Sequence, residues 1–124
     1  MRVKVLFWKD PKNPGRGFRE EYVDVPVDVI RDMFRTYRET RNANRAVDVV
    51  CGYVVNELAE RFCRAMGVGG ERFEGCVDSY VSLQGERVRV QCETAVRMWI
   101  ANTADCIKEC GMSEECVKRC VRGS

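Results

Sequence analysis

Residues 27–66 read VDVIRDMFRTYRETRNANRAVDVVCGYVVNELAERFCRAM, and the fold turns on how that stretch divides. Val29, Ile30, Met33, Tyr37 and Thr40 fall on one side of a helix. Val47, Cys51, Val54, Leu58 and Phe62 continue in three- and four-residue steps. The period predicts helix throughout, either as one long rod or as two helices joined at Asn42-Ala43-Asn44. Gly52 weakens it by about 1 kcal/mol relative to alanine. Gly67-Val68-Gly69-Gly70 ends it.

On the N-terminal side, residues 2–8 and 18–25 are rich in β-branched and aromatic side chains and flank a loop dense in turn formers (residues 9–17). This predicts a β-hairpin with a basic loop, its second strand ending at Pro26. On the C-terminal side, Val77 to Leu83 and Arg87 to Cys92 alternate around Gln84-Gly85-Glu86, which predicts a second hairpin. Glu93 to Cys110 reads as helix, with Val96, Trp99, Ile100, Thr103 and Ile107 on one stripe. Gly111 stops it. Ser113 is a good N-cap for a short last helix reaching about Val121, with Glu114 and Glu115 favourable in its first turn. The expected fold class is α+β: two β-hairpins each followed by helical segments, in one domain over 1–124, divided as 1–66 and 67–124.

The apolar fraction is 45% and the charged fraction 32%, which describes a folded globular chain. No apolar run approaches the roughly 20 residues that span a bilayer, so no membrane partner is expected. Net charge is only +2, yet 16 arginines stand against 5 lysines. Guanidinium forks bind carboxylate or phosphate bidentately; a GC-rich genome produces the same bias without a functional cause.

Eight cysteines occur without a histidine. Mixed Cys/His zinc sites and Cys–His or Ser–His catalysis are thereby excluded. The opening MRVKVLFWKD interrupts any signal-peptide core with charge. The expectation is therefore an intracellular, disulfide-stapled protein, a habit of hyperthermophiles, with no cofactor. In Cys106-x3-Cys110-x5-Cys116-x3-Cys120 each i,i+4 pair shares a helix face. Two antiparallel helices turning at Gly111 then pair Cys110 with Cys116 and Cys106 with Cys120. Bound metal and free buried thiols are the alternatives for these sulfurs. In geometry the segment resembles the twice-stapled helical hairpins of CHCH-type proteins, whose pairs are more widely spaced. Cys51 and Cys63 lie too far apart on a straight helix to join each other. Each is expected to pair with Cys76 or Cys92, or with another subunit.

Arg31, Arg35, Arg38, Arg41 and Arg45 recur every three or four residues. Arg31 has Asp28, Arg35 has Asp32 or Glu39, and Arg45 has Asp48 within helical reach, whereas Arg38 and Arg41 have no acid at either spacing. One reading is a salt-bridged face of a heat-stable protein. The other is a ridge that follows a nucleic-acid backbone without reading bases, with Asn42 and Asn44 adding hydrogen bonds. Arg16 and Arg19, with Lys9 and Lys12, form a second contact at the first hairpin. The best catalytic pair is Asp78 with Glu86 across the second hairpin. Metal-dependent nucleases place such carboxylates on adjacent strands, but the usual lysine is missing and solvent-facing acids are the simpler reading, so no enzyme is expected.

Small size, many cysteines and an Arg/Val bias give the chain a resemblance of style to the orphan proteins of hyperthermophilic archaeal viruses. The resemblance implies a virion or early host protein, located in the virion or the host cytoplasm. Combined with the arginine ridge, the expectation is a coat or nucleocapsid subunit that packages DNA, double-stranded by preference, and assembles with itself into a filament or shell. A small dimeric DNA-binding regulator and a non-catalytic protein-interaction module are the alternatives.

Overall fold

The structure is a computed structural model that describes residues 1–10, 12–110 and 113–122. Strands β1 (Arg2–Trp8) and β2 (Phe18–Asp24) pair antiparallel, in register from Arg2 opposite Asp24 to Trp8 opposite Phe18. Val3, Val5 and Phe7 alternate onto one face and are buried with Val23 and Val25, as the period-two pattern requires. Gly17, at φ +88°, brings the loop back into the ladder, where its carbonyl accepts from the Lys9 amide at 2.9 Å. Only glycine takes that backbone conformation without strain.

Pro26 ends the sheet and starts α1 (Val27–Thr40), its carbonyl accepting from the amides of Val29 and Ile30. The helix stops at Arg41, whose φ of 53° is left-handed and whose amide closes on the Tyr37 carbonyl. Asn42 then caps α2 (Ala43–Ala65), its side-chain oxygen accepting from the Asn44 amide at 2.9 Å. Of the two divisions open for residues 27–66, the structure has the broken one. At the far end Gly67, at φ +76°, donates to the Arg64 carbonyl and Val68 to the Cys63 carbonyl, both at 3.0 Å. This double bond is the Schellman closure of a helix.

The predicted second hairpin does not form. Residues 77–92 belong to α3 (Arg72–Glu109), a single helix of 38 residues and about 57 Å in length. Tyr80, Gly85, Val88, Cys92 and Val96 make its buried face. Gly85 is no turn residue; it is buried on the α2 side of the helix, where a Cβ would stand 3.7 Å from Val55 Cγ1, an ordinary van der Waals contact. The apolar residues that imitate a strand, Val81, Leu83 and Val90, face solvent. An amide clamp fastens β1 to α3: Leu6 donates to Gln91 Oε1 at 2.8 Å, and Gln91 Nε2 donates to the Leu6 carbonyl at 3.1 Å.

Helix α4 (Glu114–Arg122) begins at Ser113, whose hydroxyl accepts from the Cys116 amide at 3.2 Å. Gly111, assigned the turn between the last two helices, lies outside the described residues. All eight cysteines are paired. Cys51–Cys92 ties α2 to α3, and Cys63–Cys76 spans the turn between them. Cys106–Cys120 and Cys110–Cys116 nest at the C-terminal end, as the i,i+4 spacing predicts. The architecture is α+β, with one hydrophobic cluster joining the hairpin and all four helices. No described helix is long and apolar enough to cross a membrane.

Candidate nucleic-acid interface

The break at Arg41 divides the arginine series into two groups with different surroundings. On α1, Arg31 is half-buried, and its Nε is buried without a hydrogen-bond partner. Arg35 pairs with Asp32 at 3.3 Å, one of the partners expected for it. Arg38 donates to the Cys110 carbonyl at 2.6 Å, a contact across 72 residues of chain. That guanidinium therefore ties α1 to the stapled C-terminal end through one of its N–H donors.

At the α1–α2 junction, Arg41 and Arg45 are exposed. Arg45 does not take Asp48, the acid within its reach on α2, because Arg89 of α3 holds that carboxylate together with Glu93. The Glu93 hydrogen bond, and then the Asp48 charge, hold the Arg89 guanidinium above its ordinary pKa. Packing of α3 against α2 adds Arg97, which donates to the Asn44 side-chain oxygen. Among the described residues, Arg41, Arg45 and Arg97 form no ion pair. The two asparagines have other duties: Asn42 caps α2 and Asn44 accepts from Arg97.

The residues expected to form a second contact lie at the hairpin end. Lys9, Lys12 and Arg16 are exposed in and beside the loop, and Arg19 lies on β2. Arg19 stands 5.1 Å over the Phe7 ring and 3.8 Å from Glu21, an exposed pair of little energetic weight. Here α3 again supplies a cation that strand-based reasoning placed elsewhere, with Arg87 5.9 Å from the Trp8 ring. Arg87 and Arg97 sit ten residues apart on the outward face of α3, about 15 Å along its axis. In hindsight their signal was a helical one, since Leu83, Arg87, Val90, Thr94 and Arg97 recur at three and four residues.

The catalytic pair considered above is dispersed. Asp78 and Glu86 are both exposed on α3 rather than on facing strands, about 12 Å apart along the axis. The sulfurs of Cys110, Cys116 and Cys120 lie within 4.8 Å of one another, as metal ligands would, but each is held in a disulfide and offers no thiolate.

No protein-family model, curated protein or solved structure matches this chain.

Proposed function

We propose that this chain is a structural nucleic-acid-binding protein, a coat-type subunit that holds the backbone of double-stranded DNA at Arg41, Arg45 and Arg97. The observation that carries this reading is the Arg97–Asn44 bond, which brings a guanidinium of α3 to the α1–α2 junction, where Arg41 and Arg45 are exposed and, among the described residues, none of the three forms an ion pair. Aligned guanidinium groups match phosphates bidentately and release condensed counterions.

Backbone binding is also favoured by how the neighbouring asparagines are used. Asparagine reads adenine edges when its amide is free. Asn42 and Asn44 are committed to the helix cap and to Arg97. With those oxygens taken, neither asparagine offers the bidentate pair that reads adenine, which supports a packaging role over an adenine-reading regulator. A coat also needs its copies to touch. The outward face of α3 carries Val90 and Met98 at 56% and 64% exposure, apolar groups suited to a neighbouring copy. The virion setting implied by the sequence style is compatible with this role and with four disulfides in so short a chain.

Electron microscopy of the disulfide-intact protein with and without double-stranded DNA is the test. Regular filaments or shells that require DNA are expected. Discrete single complexes would replace the coat reading with the regulator, and no association at low salt would overturn DNA binding altogether.

A further inference from the structure

A cavity of about 380 Å³ opens between the β-hairpin, the end of α2 and the first half of α3. That volume lies in the range of about 300–1,000 Å³ usual for small-ligand sites. Its walls are aromatic: Phe7 and Trp8 from β1, Phe62 from α2 and Tyr80 from α3, with Leu83 as an aliphatic edge. Trp8 is held in place by Phe18, stacked at 4.1 Å between centroids and 24° between planes. Phe62 and Tyr80 lie 5.2 Å apart, and Phe62 remains 43% exposed toward the opening.

The rim is cationic. Lys9, Arg19 and Arg87 line the cavity; no carboxylate does among the described residues, and Glu21 stands 3.8 Å from Arg19 as an exposed pair of little weight. Ser79 and Gln84 add neutral hydrogen-bonding groups on the α3 wall. Burial pushes the Tyr80 phenol up, an effect Arg19 opposes, so the hydroxyl stays a neutral donor near pH 7. An aliphatic anion would be matched by aliphatic walls. Flat rings under a guanidinium rim instead match a planar aromatic body that carries negative charge.

We infer that this cavity binds a nucleotide, its base against the Trp8, Phe62 and Tyr80 wall and its phosphate at Lys9, Arg19 and Arg87. The ligand is either a free mononucleotide or one residue of a single strand, since both present the same base and phosphate. The site is separate from the α1–α2 junction and does not depend on duplex binding there.

The test follows the indole N–H resonances of Trp8 and Trp99 in the intact protein while AMP, adenosine, an oligothymidylate and dodecanoate are added in turn. AMP or the oligothymidylate is expected to move the Trp8 resonance and leave that of Trp99 in place. Adenosine, lacking the phosphate, is expected to bind at least about fivefold more weakly than AMP, and Arg87→Gln to weaken the nucleotide at least about tenfold. A response to AMP assigns the free nucleotide, and a response to the oligothymidylate alone assigns a strand. The inference is overturned if neither moves Trp8 at millimolar concentration, if dodecanoate binds more tightly than both, or if Lys9→Gln and Arg87→Gln each leave nucleotide affinity unchanged. Duplex affinity measured on the same wild-type sample separates the two sites. A protein that holds duplex but no nucleotide contradicts this site alone, and the converse contradicts the junction alone.

Discussion

Arginines of one spacing have opposite fates on the two sides of Arg41. On α1 they meet partners or packing: Arg38, though exposed, reaches the Cys110 carbonyl, exposed Arg35 takes Asp32, and Arg31 is half-buried. At the junction Arg41 and Arg45 face solvent, and α3 sends Arg97 to join them while Arg89 removes the one acid within reach. The same side chain serves as a structural tie where a carbonyl or carboxylate meets it and stays exposed without an ion pair where none does. Periodicity reports which residues share a face, and the surrounding elements decide how each charge is used.

Four changes bear on that difference. The largest effect belongs to the anchor of the α1 group. Cys106→Ser with Cys120→Ser opens a loop with a sequence separation of 14 and is expected to lower stability by about 3 kcal/mol in thermal or denaturant unfolding. Duplex affinity should stay unchanged while the protein remains folded. Arg38→Ala comes next. It leaves a part-buried carbonyl without its charged donor and should lower stability by about 1.5–3 kcal/mol, again without loss of affinity. A loss of affinity in this variant would place Arg38 among the DNA ligands and erase the distinction. Arg89→Gln acts from the other side. It releases Asp48 to pair with Arg45, and duplex affinity by fluorescence anisotropy should fall by about twofold to fivefold, the scale of an exposed ion pair.

The smallest effect concerns how far the fold was legible in the chain. The first hairpin, the helical phase of 27–66 and the nested C-terminal disulfides follow from spacing alone, because each repeats the period of a single element. Residues 77–92 do not. Val81, Leu83 and Val90 are exposed in part or in full along α3 and reproduce a strand's alternation, while Gly85 imitates a turn where it is a buried helix residue packed toward α2. Gly85→Ala separates the two readings. In a helix with a Cβ contact no closer than 3.4 Å it should stabilise by about 0.5–1 kcal/mol, the propensity difference, whereas at a tight turn it would destabilise.

The candidate site was legible in part, for a related reason. Arg41 and Arg45 are visible from spacing and from the lack of local acids. Arg97, 53 residues from Asn44, enters only through the packing of α3 on α2, and Arg38 leaves through a carbonyl 72 residues away. Arg19 was visible at the hairpin, but its companion Arg87 was hidden with the helix that carries it. Pairings of that range have no signature within any one element's period.

The most direct measurement is the salt dependence of duplex affinity for wild type and for Arg41→Glu with Arg45→Glu. Wild-type affinity should fall steeply as salt rises. The double variant should bind at least about tenfold more weakly at low salt, with a log–log slope shallower by about 2 for two lost phosphate contacts, and should unfold at the same temperature as wild type. Equal affinity and an equal slope in the folded variant would contradict the assignment of the junction as the nucleic-acid surface.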